Sequence, residues 1–143
     1  MTRSQRLWRR ATGLALVGGS AFWVTNFAIS RTPIAAQYRA ALSIGYVPML
    51  LEALAGGLII GFCVGYLLLR FPGRIWGSDS ILKSLTLSVM ALVLVTVLLE
   101  VPAKFLTGTP EAMRWFLIGA TFNGLRILAL GLAIGAAHER LSP

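Results

Sequence analysis

The chain has 143 residues, is 57% hydrophobic and only 13% charged, and its 13 Lys and Arg against 5 Asp and Glu give a formal net charge of +8. A soluble domain carries about 25% charged residues. Here the charges flank four long apolar runs, each long enough for a bilayer core that needs roughly 20 apolar residues. An ordinary soluble domain is excluded. The expected fold is all-α: one integral membrane domain over 1–143, a four-transmembrane-helix bundle in a plasma membrane. The basic residues are scattered between hydrophobic segments rather than gathered on one soluble face. They point to membrane orientation and to anionic lipid headgroups on the cytoplasmic face, not to nucleic acid.

The first run, 11–30, follows Arg3, Arg6, Arg9 and Arg10. Its apolar stretch exceeds the roughly 7–15 residues of a secretory signal core, and Ile34-Ala35-Ala36 is a poor cleavage site, so a retained signal anchor is expected. Thr32-Pro33 reads as a cap and first helical position. It opens a short interfacial helix with Ile34, Tyr38, Ala41 and Leu42 on its apolar side. The second run, 44–69, carries Pro48 near its start and ends at the turn signal Pro72-Gly73. Asp79 or Ser80 can cap the third run, 81–101, which is expected to stop at Pro102. Thr109-Pro110-Glu111 supplies a cap, a first-position proline and a helix-start acid for the fourth, 112–137.

With the N-terminus inside, the cytoplasmic side holds Arg3, Arg6, Arg9, Arg10, Arg70, Arg74, Lys83 and Arg140, against Arg31, Arg39, Lys104 and Arg114 outside. This two-to-one excess places both termini in the cytoplasm and favours a single fixed topology.

Glu52, Glu100 and Arg126 lie within or at the edges of the runs. A charge at the bilayer centre costs at least ~2.5–3.5 kcal/mol, so each needs a partner, water or a route to the headgroups. Glu100, beside Pro102, reads as an outer-boundary acid. Arg126 is ~21 Å along its helix from Ala112 and Glu52 ~12 Å below Ile44, at 1.5 Å per residue. The axial gap of ~9 Å is one that two extended side chains can bridge if the helices are neighbours. Asn123 lies one turn above Arg126. An intramembrane cluster of Glu52, Asn123 and Arg126 is therefore expected, either as an ion pair fixing the bundle or as a substrate or ion site.

Taking ~100° per residue, Trp115 and Gly119 share Arg126's meridian, while Ala120, Gly124, Gly131 and Gly135 form a separate small-residue face. On the second run Gly56, Ile59 and Cys63 lie near Glu52, whereas Ala53, Gly57, Gly61 and Gly65 recur every fourth residue on another side. Such small-residue rows let membrane helices approach closely. Weaker polar stripes, Thr12, Gly19, Trp23, Asn26 and Ser30 on the first run and Thr86, Thr96 and Glu100 on the third, read as packing. Trp8, Trp76 and Trp115 read as aromatic-belt anchors.

The single Cys63 reads as a small buried hydrophobe and the single His138 as a headgroup-level side chain, so no disulfide or metal site is expected. No cofactor motif, nucleophile elbow or metal-binding signature occurs. The expectation is a non-enzymatic membrane protein acting as a homo-oligomer or as an accessory subunit of a membrane assembly. The alternative is a small transporter or channel using the Glu52, Asn123, Arg126 cluster for proton coupling or anion conduction.

Overall fold

A computed structural model describes residues 1–142 as an all-helical bundle, with no strand among them. The helices are α1 (Arg3–Ser30), α2 (Pro33–Ala41), α3 (Tyr46–Arg70), α4 (Ser80–Val95), α5 (Val101–Phe105) and α6 (Ala112–Leu141). A π-helical turn, Thr96–Glu100, joins α4 to α5 without a break. Four stretches are long and apolar enough to cross a membrane: α1, α3, the continuous Ser80–Phe105 and α6.

Local chemistry sets the ends. Thr2 and Gln5 form a capping box, so α1 starts well before its apolar run and carries all four N-terminal arginines. Thr32 caps α2 with Pro33 in its first turn, and Asp79 caps α4 through a 2.8 Å bond from the Leu82 N–H. Pro48 is the third residue of α3, where its missing N–H breaks no intrahelical bond. The start of α6 differs from expectation. Glu111 sits in the left-handed region at φ 52°, so the helix cannot run through it, and Thr109 provides no cap.

Pro102 does not end the third span. A proline inside a helix lacks one N–H and crowds the carbonyl four residues back. The π turn relieves both demands: the Val101 N–H reaches the Thr96 carbonyl, five residues away, and the helix continues to Phe105. The extra residue rotates the following side chains by about 100°, which bears directly on Glu100.

Around the bundle α1 neighbours α3 and α6, and α4 neighbours α6 and, less closely, α3. The glycine row of α3 lies on α1. A Cβ on Gly57 would press on Phe22, one on Gly61 would lie 3.1 Å from the Ala15 carbonyl, and one on Gly65 would meet Leu14. The order of these contacts makes the two helices antiparallel. On α6, Gly135 lies against the Ile81 backbone and Gly131 against Ser88 and Ser84 of α4, while Gly124 makes only ordinary contact with Leu92 and Ala120 is partly buried. Ser84 Oγ donates to the Gly131 carbonyl at 2.7 Å. Leu68, Ile127, Leu130 and Ile134 fill the centre and are essentially inaccessible. Both termini lie at the same end of the bundle, where Met1 and Leu141 line one cavity.

Candidate polar cluster

At the end away from the termini, six side chains from five elements meet: Asn26 of α1, Tyr38 of α2, Glu100 of the π turn, Lys104 of α5, and Asn123 and Arg126 of α6. Lys104 Nζ donates to Glu100 Oε2 and to the Tyr38 hydroxyl, each at 2.5 Å. Asn123 Nδ2 donates to Glu100 Oε1 at 2.9 Å. Arg126 donates through Nη2 to Asn123 Oδ1 and through Nη1 to Asn26 Oδ1, the latter at 2.6 Å. The Glu100 and Lys104 side chains are only 12% and 4% exposed, so this is a desolvated ion pair rather than a surface one.

Gly119 makes the meeting possible. A Cβ there would lie 2.5 Å from Glu100 Oε2 and 2.7 Å from the Tyr38 hydroxyl, so only a residue without one lets both oxygens close on α6. Tyr38 also stacks edge-on against Trp115 and Phe122, at 6.1 and 5.6 Å. Burial pushes the Tyr38 phenol above its usual 10.0, more than its bond from Lys104 pulls it down. It stays a neutral hydroxyl at physiological pH.

Arg126 is the unbalanced member. Its carbon partners are good, with the guanidinium 5.3 Å from the centre of the Phe22 ring. Its polar partners are two neutral amides, and its buried Nε has no hydrogen-bond partner. Glu100, the acid in the cluster, is already taken by Lys104. The three charged groups therefore sum to +1. Arg126 also walls a cavity of about 50 Å³ shared with Asn26, Tyr38, Arg39 and Phe122, which is room for a few waters or one small ion.

The expected grouping of Glu52 with Asn123 and Arg126 is only partly assembled. Asn123 and Arg126 are joined directly, but Glu52 is exposed on the outer side of α3 and makes no ion pair among the described residues. The geometry follows from the glycine row. Once Gly57, Gly61 and Gly65 face α1, the Glu52 meridian must face away, and Ile59 and Cys63 point outward with it. Cys63 is thus not the buried hydrophobe expected. Glu100 occupies the place assigned to Glu52, turned inward by the π turn to accept from Asn123.

Lys104 was expected in a loop beyond Pro102 and is instead buried in the continued helix. Asn26 lies on a stripe read as packing, yet it holds Arg126. Trp115 is buried rather than a belt anchor, whereas Trp76 is exposed. The packed side of α2 carries Ala35, Tyr38 and Arg39 rather than Ile34, because Tyr38 joins the cluster and Arg39 donates to the Ser30 carbonyl at 3.3 Å. His138 is held by Ser80, its Nδ1 lying 2.7 Å from the hydroxyl. Among the described residues no group of three or more His, Cys, Asp or Glu side chains is placed to hold a metal ion.

No protein-family model, curated protein or solved structure matches the chain. The chemistry of the cluster is therefore the guide to function.

Proposed function

We propose that the chain is a small, non-enzymatic multi-pass membrane protein, with both termini cytoplasmic, that binds a small anion at Arg126 and carries it across the membrane. One observation supports this above others: Arg126 is a buried guanidinium with no carboxylate partner, with an unpartnered Nε, on the wall of a cavity sized for a small ion. An uncompensated charge at membrane depth is costly, and a bound anion offsets it. Below Arg126, the side chains of Ile127, Leu130 and Ile134 are apolar and fully buried. That suits a carrier which opens to one side at a time better than an open channel.

The competing reading is a homo-oligomer or accessory subunit associating through small-residue faces. It loses its main motive, because the Gly57, Gly61, Gly65 row is taken up by α1 and Gly131 and Gly135 by α4.

The test is flux of chloride and of small carboxylates in liposomes containing the purified protein. Wild type is expected to pass at least one of these anions, Arg126→Gln to lose the flux, Arg126→Lys to keep part of it, and Glu52→Gln to match wild type. Absence of flux for the whole panel, or full flux in a folded Arg126→Gln protein, would overturn the proposal.

A further inference from the structure

The opposite end of the bundle carries a second feature of a different kind. Arg3, Arg6 and Arg10 recur at three- and four-residue spacing, which places them on one face of α1. Together with Arg70, the last residue of α3, they line a cleft of about 590 Å³ that Trp8 and Tyr66 also line. Among the described residues no acid lines this cleft, and their ion pairs, Lys104 with Glu100 and Arg114 with Glu111, lie elsewhere. Like charges one helical turn apart repel. Four exposed arginines around one cleft make it attractive to an anion.

From these contacts we infer that the cleft is a headgroup site for an anionic glycerophospholipid. Guanidinium forks match phosphate oxygens in a bidentate manner and so suit the phosphodiester. The volume falls in the range of small-molecule pockets, roughly 300–1,000 Å³, and exceeds what inorganic phosphate needs.

The apolar side of the site favours a lipid over a soluble phosphate. Trp8 stacks on Phe62 at 5.3 Å and lies 5.8 Å from Tyr66, and Phe62 and Tyr66 stack at 6.1 Å. This aromatic strip runs from the arginines down the α1–α3 seam, where a lipid's glycerol and first methylenes would lie. Trp8 remains half exposed and free to meet them. The N-terminal arginines then do more than orient the chain: three of them, with Arg70, form a built site.

The experiment uses the wild-type protein in phosphatidylcholine nanodiscs with and without phosphatidylglycerol. Arginine modification by phenylglyoxal is read peptide by peptide at about 1 M salt, where the screening length falls to about 3 Å and diffuse attraction is removed. Phosphatidylglycerol is expected to protect Arg3, Arg6, Arg10 and Arg70 severalfold more than Arg9, Arg74 or Arg140. Uniform protection would overturn the site.

A second measurement is retention of phosphatidylglycerol on the detergent-purified protein. Loss of about tenfold or more is expected in Arg6→Gln/Arg10→Gln/Arg70→Gln, with little change in Arg9→Gln/Arg74→Gln/Arg140→Gln, which removes equal charge at the same end. Equal loss in both would also overturn it. Displacement of the lipid by glycerol 3-phosphate at matching concentration would replace the lipid with a soluble phosphate ester and overturn the occupant. Anion flux reads the other end of the bundle, so failure of either proposal leaves the other standing.

Discussion

The α1–α3 seam and the far end of the α4–α6 pair hold the same bundle together by opposite means. Along the seam, glycines remove side chains so that backbones touch, with the Ala15 carbonyl 3.1 Å and the Gly19 nitrogen 3.4 Å from where a Gly61 Cβ would sit. At the far end, Gly119 removes a side chain so that charges can meet, admitting Glu100 and Tyr38 to the surface of α6. In the seam the gain is dispersion between close surfaces, spread over many weak contacts. In the cluster it is concentrated in a few strong, desolvated bonds, each of which leaves a costly orphan when its partner is lost. Damage to the seam should therefore be graded and damage to the cluster abrupt.

The largest effect should come from Glu100→Gln. It leaves the Lys104 ammonium buried without its counter-charge, and breaking a buried pair in this way costs about 3–5 kcal/mol. Unfolding measured in bilayer-mimicking micelles should show most of that loss, and Glu100→Gln/Lys104→Met should recover much of it, because the double change removes the orphan. A Glu100→Gln protein within about 1 kcal/mol of wild type would mean that the ion pair is solvated and that the contrast with the seam is false.

Gly119→Ala and Gly61→Ala add the same methyl to the two regions. At Gly119 it meets two anchored oxygens, Glu100 Oε2 and the Tyr38 hydroxyl, at 2.5 and 2.7 Å, so both must shift away from Lys104, which bonds them. A cost near the upper end of the 1–3 kcal/mol for overpacking is expected, about 3 kcal/mol, together with reduced anion flux. At Gly61 the neighbours stand at 3.1–3.4 Å and need give way only slightly. About 1 kcal/mol and unchanged flux per folded molecule are expected there. Equal losses of flux in both variants would show that the cluster senses general packing rather than local chemistry.

The same contrast explains what could be read from the sequence. Ala53, Gly57, Gly61 and Gly65 announce themselves by period alone, because four-residue spacing is a property of one helix. The Asn123–Arg126 link is equally local, one turn of α6. Glu100 and Lys104 were hidden because their orientation depends on how the helix passes Pro102, and a π turn leaves no periodic trace. Asn26 was visible as a polar residue but not as a partner, since 100 positions separate it from Arg126. Glu52 shows the reverse error. Depth and charge made it attractive, while the wheel already set it apart from the glycine row, and a close-packed row decides which way the rest of its helix faces.

Tyr38→Phe probes the rim of the cluster and should have the smallest effect of the cluster variants. It removes one hydroxyl that receives the Lys104 bond while keeping the ring against Trp115 and Phe122, so a loss of about 0.5–1.5 kcal/mol is expected near neutral pH. Its signature is in alkali. Because burial raises the folded-state phenol above 10.0, the folded protein holds this proton after the unfolded chain has released it. The stabilisation from the neutral phenol is complete below pH 10.0 and drains away as pH rises from there through the folded value. Wild type should therefore lose stability across that alkaline window more steeply than Tyr38→Phe, and the difference between the two should shrink as pH rises. Parallel curves would place the phenol in water, and α2 would then be a cover lying over the cluster rather than a part of it.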